Sequence, residues 1–74
     1  MYKVIIGREV QKNIEKISEP NYSKIKAAIL NLSNDPRPYG YKKLKGRDAY
    51  RIKQGNYRII YEIEDDILTV TVIK

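Results

Sequence analysis

The chain has 74 residues, which is too few for more than one domain, and it contains neither cysteine nor histidine. Disulfides are therefore excluded, and so are the usual zinc ligand sets. Fifteen lysines and arginines against nine acids give a net charge of +6, which favours a polyanionic partner such as nucleic acid, an anionic membrane surface or an acidic protein.

The N-terminal part of the chain predicts a strand followed by a helix. Residues 2–6 form a short apolar run with several β-branched residues, which is typical of a strand, and Gly7 ends it. Val10, Ile14 and Ile17 then recur at spacings of four and three residues. This spacing places them on one face of a helix.

A second helix is predicted after Pro20, which interrupts the first pattern. We expect Ser18 or Asn21 to cap its N-terminus. Residues 34–36 should end it, with Asn34 in a left-handed C-cap. Its apolar face carries residues spaced by three and four: Tyr22, Ile25, Ile29 and Leu32.

Three strands are predicted in the C-terminal part, after a loop over residues 37–48. They cover residues 49–53, 57–64 and 67–73, and tight turns at 54–56 and 65–66 connect them. The order β-α-α-β-β-β predicts an α+β fold over residues 1–74, in which two helices pack on one face of an antiparallel meander. The first strand is expected to pair within the same sheet.

Positive charge is concentrated on one face of the predicted hairpin. Tyr50 and Ile52 alternate with Arg51 and Lys53, and Arg58 follows across the turn. Like charges opposed on neighbouring strands destabilise a sheet, so this group needs an explanation. It is either a solvated edge that discourages aggregation or a platform that binds phosphate.

Such a platform has the chemistry for RNA cleavage as well as RNA binding. RNA is cut when its own 2′-hydroxyl attacks the adjacent phosphate, which requires a base and positive charge on the phosphate oxygens. Neighbouring cations disfavour the protonated form of a lysine, so Lys53 is the candidate base. Arg51 and Arg58 are then the candidate phosphate-holding catalytic residues.

The loop before the hairpin mixes basic residues with tyrosines. Such a loop is suited to contact phosphates and to stack on unpaired bases, and its candidate RNA-binding residues are Lys42, Lys43, Lys45 and Arg47. It is equally well read as an ordinary polar loop in which Leu44 and one tyrosine pack into the core. Four tyrosines fall in phase with apolar residues and are assigned to the core, namely Tyr22, Tyr50, Tyr57 and Tyr61, whereas Tyr39 and Tyr41 are expected to be freer.

The run LKGRDAYRIKQGNYRIIYEIEDDILTVTVIK, together with DPRPYGYKKLKG, resembles the RelE/ParE superfamily of toxins and is most similar to its RelE-type branch. The resemblance implies a type II toxin–antitoxin system, with a toxin that cleaves mRNA in the ribosomal A site and so inhibits translation. It implies a cognate antitoxin as partner. Basic residues on the two hairpin strands, here Arg51, Lys53 and Arg58, would hold and activate the RNA, and Lys45 would contact it. Arg51 stands where a lysine is common, which again favours Lys53 as the base.

The sequence departs from the resemblance at its end. RelE-type toxins usually continue past the strand that closes here at Lys74, into a segment with further catalytic residues. We therefore expect weak or absent mRNA cleavage by this chain. A ribosome-dependent cleavage assay that compares it with a version extended by the family segment would test this.

Two other functions remain open. ParE-type toxins of the same superfamily poison DNA gyrase and need no nuclease residues, and a catalytically inactive module would use the basic face only to dock an acidic antitoxin segment. No apolar run approaches the ~20 residues of a membrane span, and the N-terminus lacks the features of a signal peptide. We therefore expect a cytoplasmic protein with no membrane association, metal or other cofactor.

Overall fold

A five-stranded sheet covered on one face by two helices makes up the computed structural model, which describes residues 1–74. The elements in chain order are β1 (Lys3–Ile6), α1 (Arg8–Glu15), α2 (Asn21–Asn31), β2 (Lys42–Lys43), β3 (Tyr50–Gln54), β4 (Tyr57–Glu64), a short 3-10 helix (Asp65–Ile67) and β5 (Thr69–Val72). The strands lie in the order β1-β5-β4-β3-β2. The pair β1–β5 is parallel and the other neighbouring pairs are antiparallel. The predicted α+β fold is confirmed.

The core lies between the two helices and the face of the sheet that they cover. Ile14 of α1 and Ile25 and Ile29 of α2 supply the helical side, as the predicted spacing requires. Leu32, just after α2, is completely buried beside them. Alternate residues of the strands supply the other side, namely Ile52, Ile59, Tyr61, Val70 and Val72. Each fully buried aliphatic side chain of this kind contributes about 1.5–3 kcal/mol through removal from water.

The ends of α2 differ from the prediction. Pro20 occupies the N-cap and no side chain caps the helix, so the assignment of Ser18 or Asn21 as the cap was wrong. The Glu19 carboxylate instead accepts hydrogen bonds from the Ser23 N–H at 2.9 Å and the Ser23 hydroxyl at 2.6 Å. These bonds satisfy a backbone donor in the first turn, which is the task of a cap.

The C-terminal end of α2 and the start of β5 both differ from the prediction. Asn34 is not left-handed, because Leu68 is the one non-glycine residue with positive φ, at +47°. The 3-10 helix takes up Ile67, and the left-handed turn at Leu68 lets β5 begin only at Thr69. The predicted third strand of the meander was therefore two residues too long at its start.

Tyrosine burial separates the predicted core tyrosines into three groups. Tyr61 is fully buried, and Tyr22 and Tyr50 are half-buried against the core. Tyr57 remains 38% exposed, so its assignment to the core was wrong. It stands next to the hairpin turn, where an apolar groove rather than closed packing lies between sheet and helices. No helix has the length and apolar character to cross a bilayer.

Candidate nucleic-acid interface

The hairpin that carries the candidate catalytic residues is formed by β3 and β4. Gln54 pairs with Tyr57, which leaves Gly55 and Asn56 as a two-residue turn. Gly55 takes φ of +61°, a conformation that glycine adopts without steric cost and that tight hairpins require. The turn fixes the register, and the register then places Lys53 directly opposite Arg58.

Four cations lie together on the face of the sheet that the helices leave uncovered. Strand alternation brings Arg51, Lys53 and Arg58 to this face, and β2 adds Lys42 directly opposite Arg51. We call these four residues the cationic platform. Directly opposed residues have Cβ atoms about 4.5–5.5 Å apart, so the platform contains two close pairs of like charge.

No carboxylate neutralises the platform. The only ion pair in the chain joins Arg37 to Asp65, so none of the four cations has an acidic partner. Glu62 lies on the same face of β4, four residues from Arg58 and diagonal to Arg51 at about 7–8 Å, and it makes no ion pair with either. The protein therefore relieves little of the repulsion within the platform, and a bound anion would relieve the rest.

The other predicted RNA-binding residues lie apart from the platform. Lys43 pairs with Tyr50, so alternation places it on the opposite face of the sheet from Lys42. Lys45 and Arg47 are exposed at the tip of the β2–β3 loop, which the Leu44 N–H closes by donating to the Ala49 carbonyl at 2.8 Å. The tip is at the far end of β3 from the hairpin turn. Sequence reasoning treated these four basic residues as one group, and only Lys42 joins the platform.

Sequence reasoning missed β2, because its two residues lie in a run of polar and turn-forming residues with no strand periodicity. The short strand is set by pairing with β3 and not by its own pattern. The basic residues of the loop were the one available signal for β2. Lys42 lies opposite Arg51 only if the loop folds back on β3 as a hairpin. That signal is weak without the register.

A second feature that sequence reasoning missed fixes the loop in front of β2. The Arg37 guanidinium donates to both Asp65 carboxylate oxygens, at 3.2 and 2.9 Å, and the Tyr2 hydroxyl donates to one of them at 2.6 Å. Arg37 also lies over the ring of Tyr50, 5.8 Å from its centroid. The buried Tyr61 hydroxyl donates to the Pro36 carbonyl at 2.8 Å. The loop that delivers Lys42 is thus held at two points.

These contacts change the ionisation of the groups that make them. Hydrogen bonds from Arg37 and then Tyr2 lower the pKa of the Asp65 carboxyl. The hydrogen bond to Asp65, with some desolvation, raises the pKa of Tyr2. Burial raises the pKa of Tyr61 to about 12. Asp65 is therefore held as an anion and both tyrosines as neutral phenols, the forms that their hydrogen bonds need.

Acid should weaken the loop anchor, and Asp65→Asn should remove that sensitivity. The folded pKa of Asp65 lies below its unfolded value of about 3.9, so its contribution to stability is present above about pH 4 and is lost as pH falls through the folded pKa. We expect the parent to lose more unfolding free energy between neutral and acid pH than Asp65→Asn does. Urea unfolding at both pH values measures this. Asp66→Asn, one residue along, is the control and should behave like the parent, and equal losses in all three proteins would contradict the expectation.

Comparison with known proteins places the whole fold in one family. Residues 4–74 match the family described as the ParE toxin of type II toxin–antitoxin systems. The chain belongs to the RelE/ParE toxin superfamily. The sequence resemblance predicted membership of the RelE/ParE superfamily, and this prediction is confirmed.

RelE proteins are among the relatives of this RelE/ParE toxin. It is 31% identical over 75 residues, covering 93% of its own length and 83% of the relative's, to a protein of Methanocaldococcus jannaschii assigned as toxin RelE1. The archaeal RelE–RelB complex from Pyrococcus horikoshii has a matching chain with 26% identity and a TM-score of 0.88, over 99% of this chain and 90% of that one. The intact E. coli RelBE complex matches with 26% identity and a TM-score of 0.84, over 100% and 93%. The chain is a RelE-like toxin of a type II toxin–antitoxin system.

Proposed function

We propose that this toxin binds mRNA on the cationic platform and cleaves it weakly in the ribosomal A site, which inhibits translation. One observation carries the proposal: two pairs of cations lie directly opposite each other on neighbouring strands, and none of the four forms an ion pair. The pairs are Lys42 with Arg51 and Lys53 with Arg58. Directly opposed like charges destabilise a sheet in the absence of an anion. An RNA backbone supplies regularly spaced phosphates that would relieve the repulsion.

The proposed reaction is an attack by the RNA on itself. The Lys53 amine acts as the base that takes the proton of a 2′-hydroxyl, and the 2′ oxygen bonds to the adjacent phosphorus. The bond from phosphorus to the 5′ oxygen breaks, this oxygen takes a proton from water as it leaves, and the products are a 2′,3′-cyclic phosphate and a free 5′-hydroxyl. Arg51 and Arg58 flank Lys53 on the platform and would stabilise the charge on the phosphate oxygens.

The salt dependence of RNA binding tests the platform without requiring catalysis. Each phosphate contact on single-stranded RNA contributes about −0.7 to the slope of log affinity against log salt, so four contacts predict a slope near −3. Arg51→Gln and Lys53→Gln should each reduce its magnitude by about 0.7. Fluorescence anisotropy with a labelled oligonucleotide measures it. Lys12→Gln on α1, which packs on the other face of the sheet, is the matched control. An unchanged slope in the Arg51→Gln, Lys53→Gln double variant would refute the platform.

A neutralising antitoxin is the second part of the proposal. RelE was crystallised with RelB in the Pyrococcus horikoshii and E. coli complexes. With a net charge of +6, this toxin favours an acidic partner segment that covers the platform and competes with RNA. Charge reversal at Lys53 tests whether the platform acts on RNA or only docks the antitoxin. If the variant loses RNA cleavage but still forms the antitoxin complex, a role in antitoxin docking alone is excluded.

Gyrase poisoning is the alternative function, and the matching family description favours it because it names ParE. A ParE-type toxin would act on DNA gyrase and would not need the platform for chemistry. The two functions differ in what breaks in an expressing cell. Cleaved mRNA with intact chromosomal DNA supports the proposal, whereas DNA breaks with intact mRNA would replace it with the alternative.

A further inference from the structure

A polar groove runs along the open edge of β3, between this strand and α2. It has a volume of about 570 Å³, within the ~300–1,000 Å³ typical of small-molecule sites. We call it the edge groove. It exists because β2 has only two residues and its pairing ends at Lys42 with Arg51, so no strand lies beside the rest of β3 on the edge away from β4. Its lining includes Ala28, Asn31, Tyr39, Lys42, Lys53 and Gln54.

The edge groove offers three kinds of contact. Lys42 and Lys53 belong to the cationic platform, so the groove and the platform share a border, and no acidic residue lines the groove. The side-chain amides of Asn31 and Gln54, on opposite walls, make no hydrogen bond within the chain. The Tyr39 side chain is fully exposed at the rim, with a relative accessibility of 106%.

We propose that the edge groove is a base-reading subsite that takes one unpaired nucleotide of the bound RNA. The base would stack on Tyr39, and the amides of Asn31 and Gln54 would hydrogen-bond to its edge. Its flanking phosphates would lie on Lys42 and Lys53. The proposal rests on the RNA-binding function above and adds a source of sequence preference, which phosphate contacts alone cannot provide.

The lining favours a nucleotide over a peptide strand added to β3. A peptide that extends the sheet obtains specificity from pockets for its alternate side chains. In place of such pockets, the groove presents three cations, two amides and an exposed aromatic ring. Free amides offer a donor and an acceptor each, which matches the edge of an unpaired base, and an exposed tyrosine ring is suited to stacking.

Binding of homopolymeric RNA hexamers of A, C and U to the full chain tests this subsite. We expect the parent to prefer its best hexamer over its worst by about tenfold, the scale of one good base contact. The double variant Asn31→Ala, Gln54→Ala should reduce this ratio to about twofold or less, while the affinity for the worst hexamer stays unchanged. Tyr39→Ala should weaken all three by about tenfold, because stacking does not depend on the base. The control is Gln11→Ala with Asn21→Ala, which removes two amides outside the groove.

The outcomes separate this inference from the function on which it rests. A parent that binds all three hexamers equally, or an Asn31, Gln54 double variant that keeps the full preference, overturns the subsite and leaves the platform standing. Absence of RNA binding by the parent overturns both. The last outcome concerns a glutamate-rich peptide. If the same amide variants weaken binding of this peptide and leave the RNA preference unchanged, the groove binds a protein partner and the inference is refuted.

Discussion

Ribosome-dependent mRNA cleavage should fall by about 10²–10⁴-fold when Lys53 is replaced by arginine, while RNA affinity changes little. Arginine keeps the positive charge opposite Arg58 but does not lose its proton in proteins, so it holds phosphate and fails as a base. Lys53→Gln should lower cleavage by a similar factor and should also weaken binding. Single-turnover cleavage with excess toxin, read by primer extension, measures even slow reactions.

Two further variants complete this experiment. Arg51→Lys keeps a cation beside Lys42 and should retain much more cleavage than Lys53→Arg does, because its assigned role is to hold phosphate. Lys12→Arg on α1 makes the same lysine-to-arginine change away from the platform and should leave cleavage at the parent's level. Cleavage by Lys53→Arg at the parent's rate would show that Lys53 is not the base.

Ile29→Ala should cost about 2–5 kcal/mol of unfolding free energy. Ile29 is 1% exposed in the middle of α2, and truncation leaves a cavity against the sheet. Domains of this size have total stabilities of about 4–11 kcal/mol, so the variant should lie close to unfolding at physiological temperature. Urea denaturation followed by circular dichroism measures the change.

The neighbouring residue supplies a matched control for this prediction. Leu30 lies in the same helix but is 56% exposed, so Leu30→Ala removes a similar side chain without opening a core cavity. Its effect should stay within about 0.5 kcal/mol. Equal losses in Ile29→Ala and Leu30→Ala would mean that α2 does not pack on the sheet as described.

The elements with clear periodicity could be predicted from the sequence. The alternation around Ile52 and Ile59 identified the hairpin and its buried face, and the spacing of Ile25 and Ile29 identified the face of α2. The same alternation placed Arg51, Lys53 and Arg58 on one face. Their catalytic and binding roles remain predictions.

Features that depend on contacts between distant residues could not be predicted. Lys42 joins the platform only through the pairing of β2 with β3, and the Arg37–Asp65 anchor joins residues 28 positions apart. The prediction of the α2 cap was wrong because the Glu19 carboxylate, outside the helix, accepts hydrogen bonds from the backbone N–H and the hydroxyl of Ser23. The usual short capping motifs do not include this arrangement. Tyr57 is in phase with the core but borders an open groove between the sheet and the helices, so it stays partly exposed.

The parallel pairing of β1 with β5 has a consequence for the order in which the protein assembles during synthesis. Lys3 is synthesised long before Thr69, its pairing partner in β5. The helical pair and the β3–β4 hairpin rely on contacts close in the sequence and can form early, whereas this closure must wait for a long loop of chain. Val4 and Ile6 therefore have no neighbouring strand until β5 has been synthesised, and the nascent toxin cannot complete its sheet before then.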